Sequence, residues 1–214
     1  MKKIFLSLAA LALTVSLNAQ NYERSIFGVR AGVNVSTMNI GLDVSSLNLN
    51  IRPESYVGFN AGMNYQQLLL KSAPLYFETG LGVSLSGFAM EEIDCSLWYL
   101  QLPVMLSYKF FDHDFAFYPS AGLVYSFGVA GSVNYTSGGT TTSESVFTGD
   151  SQAFHRSDLG VRIGVNAEWK RIYLGVSYTI GVLDIAKTTE AAAGSTVGTS
   201  ADSRVLAVTL GYNF

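Results

Sequence analysis

The 214-residue chain carries a formal net charge of −3, is 49% hydrophobic and only 14% charged, and contains a single cysteine, Cys95. That balance excludes a basic nucleic-acid surface and an intramolecular disulfide framework, and the length suits one sizeable domain. Beyond the N-terminus no stretch holds the roughly 18 uninterrupted apolar residues of a membrane helix, so any membrane crossing must use strands.

The first 20 residues, MKKIFLSLAALALTVSLNAQ, begin with Lys2 and Lys3, run apolar from Ile4 to Val15 and reach the small Ala19. This is the pattern of a secretory signal peptide over residues 1–19, cut after Ala19, with residues 20–214 as the working domain. No cysteine follows the apolar run, which argues against a lipid-anchored N-terminus.

Strict alternation then sets in. Phe27, Val29, Ala31, Val33 and Val35 fall on one face and Gly28, Arg30, Gly32, Asn34 and Ser36 on the other, the period of a strand. Residues 56–66 repeat the split, with Val57, Phe59, Ala61, Met63 and Tyr65 opposite Gly58, Asn60, Gly62, Asn64 and Gln66. In residues 75–85, Leu75, Phe77, Leu81 and Val83 oppose Tyr76, Glu78, Gly80 and Gly82. The fourth run, LWYLQLPVMLSYKF, sets Trp98, Leu100, Leu102, Val104 and Leu106 against Tyr99, Gln101, Pro103 and Lys109. Four more runs cover 117–129, 158–169, 173–183 and 204–214, giving eight strands, an even number.

Connections alternate in length as well. Those at 67–73, 111–114 and 170–172 are short, whereas 134–152 and 187–202 are long, rich in Ser, Thr and Gly, and read as solvated, mobile loops. Short turns at one end and long loops at the other match an outer-membrane barrel with turns and both termini in the periplasm and long loops outside the cell. The expected fold is therefore all-β, an eight-stranded antiparallel transmembrane up-and-down β-barrel.

A soluble barrel also alternates, but its polar face would be crowded with charges. Here that face is mostly Gly, Asn, Ser and Gln, which suits a narrow lumen where small residues leave room for a few large polar ones. The apolar face carries aromatics towards the predicted periplasmic ends, among them Phe27, Tyr65, Phe77, Tyr108, Phe110, Phe117, Trp169, Tyr212 and Phe214; Trp98, Phe127 and Tyr178 fall towards the outer rim. Aromatic rings favour the headgroup level.

The segments YFETGLGVSLSG with Glu78, YLQLPVMLSYKF with Pro103, SDLGVRIGVNAEW, YTIGVLDIA and the closing LAVTLGYNF resemble small outer-membrane β-barrel domains of the PorT-like, "porin family" type, over essentially the whole mature chain. The terminal Tyr212 and Phe214 resemble the signal read by the barrel-assembly machinery. That resemblance implies lipid bilayer, lipopolysaccharide and the assembly machinery as partners, with envelope or secretion-system proteins as further ones.

Candidate site residues lie on the inward face. Arg30 and Glu78 fall at similar heights on two upward strands, and Lys109 and Glu168 near the bottoms of two downward ones, so the four are expected to form a periplasmic-side cluster. Arg162 and Asp158, with Tyr99 and Gln101, are expected to form a second group higher up. Their expected role is to plug the lumen rather than conduct. No cofactor, metal or catalytic residue is expected. Three functional readings stand: a structural or surface-interaction barrel, a secretion or envelope-assembly accessory, and a lipid-modifying enzyme. The enzyme reading requires His113 or His155, the two histidines, with Ser157 the nearest nucleophile to His155.

Overall fold

A computed structural model describes residues 23–44, 47–51, 54–90, 93–137, 140–146, 156–182 and 198–214. The signal-peptide segment and His155 lie outside the described residues. Eight long strands form the wall: β1 (Ser25–Val44), β2 (Glu54–Leu70), β3 (Ala73–Met90), β4 (Ile93–Tyr108), β5 (Phe115–Ser137), β6 (Ser157–Trp169), β7 (Ile172–Gly181) and β8 (Gly198–Asn213). Each pairs antiparallel with the next, and β8 pairs back onto β1 from Gly28↔Asn213 to Asp43↔Gly198, so the sheet closes into an eight-stranded barrel. Closure satisfies the backbone polar groups that an open edge would leave bare in hydrocarbon.

The alternation in sequence becomes an inversion of the usual inside and outside. Val33 is 58% exposed and Val104 45%, whereas Asn34 on the opposite face of β1 is 1% exposed and Lys109 1%. The buried set includes Asn64, Gln66, Glu78, Asn166 and Glu168, and the outward band is almost wholly apolar, as lipid requires. Aromatic rings bound the band. At the turn end Phe27 stacks on Phe214 at 6.0 Å, Tyr212 meets Phe214 edge-on at 5.4 Å, and Phe115 pairs with Trp169 across the β5–β6 ladder. At the loop end Phe59 meets Trp98 edge-on at 5.3 Å.

The turn end is tighter than its sequence suggests. β2 runs on to Leu70, so the expected 67–73 connection shrinks to Lys71 and Ser72, and the other turns are centred on His113–Asp114 and Lys170–Arg171. His113 and Lys170 each take a positive φ, 53° and 57°, the conformation that a two-residue reversal imposes. The fourth run is interrupted at Lys109, beyond which Phe110–Asp112 continues as a short strand paired only with β5.

The loop end departs further from expectation. Residues 134–152, read as a solvated mobile loop, carry a hairpin: Thr140–Ser145 pairs with Ser132–Ser137 at the top of β5. A matching strand, Leu47–Ile51, pairs with the top of β1. Threonine is β-branched and suits the pleated backbone, so a polar, Thr-rich run is compatible with strand structure.

Glycine is required where strands approach inside the wall. A Cβ at Gly58 would strike the Leu85 carbonyl oxygen and lie 2.6 Å from Asn34 Oδ1, while one at Gly82 would come no closer than 3.1 Å to the Ala61 carbonyl. Gly58→Ala is therefore expected to cost about 1–3 kcal/mol by overpacking, and Gly82→Ala clearly less. Urea titrations in lipid vesicles, read by the gel shift between folded and unfolded barrel, check the order; equal losses would refute it.

Candidate functional site: the barrel interior

Strand direction places the inward side chains of β1, β3, β4 and β6 around the lower lumen, and the structure gathers four of the expected residues there. Lys109 Nζ donates to Glu168 Oε2 at 2.9 Å, to Glu168 Oε1 at 3.1 Å and to Gln66 Oε1 at 2.6 Å. Tyr118 donates its hydroxyl proton to Glu168 Oε1 at 2.6 Å and receives a bond from Gln66 Nε2 at 3.3 Å. The ammonium also sits 4.9 Å from the ring centre of Tyr76 and 4.6 Å from that of Tyr118. A buried ammonium is tolerable only under such conditions, with a carboxylate on it and its remaining protons occupied.

Just above, Arg30 Nη1 lies 3.6 Å from Glu78 Oε2, and the guanidinium carbon lies 3.7 Å from the centre of the Tyr173 ring. Tyr173 in turn donates to Asn166 Oδ1 at 2.6 Å, and Asn166 Nδ2 donates to Ser120 Oγ at 3.0 Å. Arg30→Met is expected to destabilise by leaving Glu78 without its cation, and Glu78→Gln in the same chain to recover part of that loss. The double-mutant cycle should return a coupling of about 0.5–3 kcal/mol; zero coupling would remove the pair as an energetic unit.

The second expected group is only partly assembled. Arg162 donates through Nη2 to Gln101 Oε1 at 3.2 Å and through Nε to Thr179 Oγ1 at 2.8 Å. Asp158 is not its partner: Asp158 Oδ2 accepts from Ser203 Oγ at 3.2 Å, and no ion pair joins it to Arg162 among the described residues. The two stand four positions apart on one face of β6, a separation of about 13 Å at ~3.3 Å per residue. Tyr99 is buried on the inward face of β4.

Three features were not among the expected site residues. Tyr118 and Tyr173 face inward and carry the hydrogen bonds and ring contacts that hold both charged pairs. Gln66 completes the shell of Lys109. Towards the loop end apolar side chains join the interior: Phe88, Cys95 and Leu97 are buried alongside Ser36, Ser86 and Asp158. Val146, also buried, donates its N–H to the carbonyl of Gly131, the register partner of Leu97. The alternation itself, extended through FAFYPSAGL and IYLGVSY, puts both tyrosines inward and could have found them.

The pair of the enzyme reading, His155 and Ser157, is not placed because His155 lies outside the described residues, and the other histidine, His113, stands at the opposite end of the barrel from Ser157. His113 Nδ1 bonds to Asp112 Oδ1 at 2.8 Å in an exposed turn. Ser157 Oγ lies 3.0 Å from the Tyr125 hydroxyl at the opposite end of the barrel. Among the described residues no group of three or more His, Cys, Asp or Glu side chains is placed to hold a metal ion.

A closed eight-stranded antiparallel barrel with an apolar outer band, aromatic borders and a polar interior is a transmembrane β-barrel of the outer-membrane kind. The chain belongs to the outer membrane protein beta-barrel domain family, whose model matches residues 6–214. Solved structures with a similar fold include outer membrane protein OprG from Pseudomonas aeruginosa, at 12% identity and TM-score 0.49, covering 90% of this chain and 97% of that one. Neisserial surface protein A is 14% identical with TM-score 0.42, over 90% of this chain and all of that one (100%). The outer membrane enzyme PagL is 11% identical with TM-score 0.43, over 84% and 98%. No curated protein matches the sequence.

Proposed function

We propose that this outer-membrane barrel is a non-conducting structural or surface-interaction protein, exported by its N-terminal segment and carrying its long hairpins outside the cell. The observation that carries this reading is the filling of the lumen: the Lys109–Glu168 pair with Gln66, Tyr76 and Tyr118 at the turn end, and Phe88, Cys95, Leu97 and Val146 towards the loop end. A lumen so filled has little use as a diffusion pore, whereas the hairpins on β1 and β5 offer extended polar backbone to whatever lies beyond the membrane. Two-residue turns at the other end suit the periplasmic side. His113 bonds Asp112 in an exposed turn and Ser157 lies against the Tyr125 hydroxyl, an arrangement that favours the structural reading over the enzymatic one.

Protease added to intact cells is expected to cut within 134–152 or 187–202 and to spare the turn at His113–Asp114; cleavage at that turn alone would invert the orientation. Crosslinking in whole envelopes tests the role. A structural barrel brings down lipopolysaccharide and the barrel-assembly machinery, while stoichiometric recovery of secretion-system subunits would replace this reading with an accessory role in secretion.

A further inference from the structure

Between the two plugs lies a polar chamber of about 120 Å³ lined by Arg30, Asn60, Asn64, Glu78, Gln101 and Arg162. Facing glycines make the room: a Cβ on Gly62 would come within 2.7 Å of the Gly82 Cα. The charges around this chamber do not balance. Two guanidiniums, Arg30 and Arg162, face one carboxylate, Glu78, and no carboxylate lies within ion-pair distance of Arg162 among the described residues. The Lys109–Glu168 pair below cancels internally and does not line the chamber, and Asp158 is engaged by Ser203 outside it. On the chamber lining three buried donors without a protein acceptor stand against two buried acceptors without a donor, Glu78 Oε1 and Asn64 Oδ1. Nε and Nη2 of Arg30 and Nδ2 of Asn60 are buried and meet no protein acceptor.

Water can satisfy a lone N–H but leaves the extra positive charge uncompensated, and a buried unpaired charge is expensive. We infer that the chamber is a binding site for one small inorganic monovalent anion of halide size, held between the guanidiniums of Arg30 and Arg162 with Asn60 as a neutral donor. The chamber has room for such an ion and a few waters, the waters serving Glu78 Oε1 and Asn64 Oδ1, which are also buried without a protein donor. The anion would act as a structural counter-ion, completing the interior once the barrel has closed.

Bromide is the probe. Crystals of the full-length folded protein in detergent, equilibrated with bromide, are expected to show an anomalous peak within hydrogen-bond reach of Arg30 Nε or Nη2. Thermal unfolding at fixed ionic strength should have a higher midpoint in bromide than in gluconate, a bulky organic anion of very different shape. Arg162→Met should abolish that difference, and Glu78→Gln, which raises the local charge, should enlarge it. Water alone at this position in saturating bromide, or equal midpoints in the two salts, would overturn the proposal. If Arg162→Met fails to fold, the wild-type crystal and salt comparison decide it alone.

Discussion

Replacing Lys109 with methionine is expected to destabilise the folded barrel by about 3–5 kcal/mol, the usual cost of removing one partner from a buried ion pair. Lys109 Nζ is the common donor to both oxygens of Glu168 and to Gln66 Oε1, so its loss leaves a carboxylate supported by Tyr118 alone and an amide oxygen without its bond. Glu168→Gln should cost a similar amount, because the ammonium then sits between two tyrosine rings without its hydrogen-bonded carboxylate. The double variant should be more stable than the sum of the two losses predicts, since neither charge is left alone. Urea titrations in vesicles measure all three. Simple additivity would show that the pair does not act as a unit.

Val104→Arg is expected to cost about 2–4 kcal/mol in a bilayer, the penalty of a guanidinium near the midplane of a barrel's lipid face. Val104 lies on β4, midway between Trp98 on the loop side and Phe110 just past the strand's turn end, is 45% exposed, and pairs with Leu123 on β5. Val33→Arg, on β1 opposite Val208, should behave alike. Asn34→Ser, one residue further along and facing inward, loses the bond from Asn34 Nδ2 to Ser84 Oγ and should cost only about 1 kcal/mol. The contrast is specific to lipid: in detergent the arginine variants should recover much of their stability. Equal damage by the two classes of substitution would mean that the outward face does not meet hydrocarbon.

Much of this architecture is legible in the chain because a period of two residues fixes the facing of every side chain once one is known. Phe27 to Ser36 alone gives the outward and inward sets of β1, and an even count of such runs allows the last strand to close antiparallel onto the first. Height along the barrel is less legible. Arg30 and Glu78, and Lys109 and Glu168, lie on non-adjacent strands, yet counting from the turns aligned them, and the structure sets the pairs at 3.6 Å and 2.9 Å. Asp158 and Arg162 share one strand, where four residues of rise keep them apart whatever their charges. Tyr118 and Tyr173 were obscured by chemistry rather than position, because an aromatic in a membrane barrel is readily assigned to the lipid border, and only strict parity turns these two inward. Hairpins above the membrane were obscured by composition, since TTTSES reads as loop unless a pairing partner is known, and here Ser132–Ser137 supplies one.

Current through single barrels in planar bilayers tests the central claim most directly. With Lys109, Glu168, Gln66, Tyr76 and Tyr118 filling the turn end and Phe88, Cys95, Leu97 and Val146 buried towards the loop end, the wild-type protein is expected to insert without opening a steady path for ions. Reconstituted barrel, shown to be folded by its gel shift, should leave the bilayer at its baseline conductance across the usual voltage range. Steady, ohmic steps of uniform size from the same preparation would contradict the sealed interior.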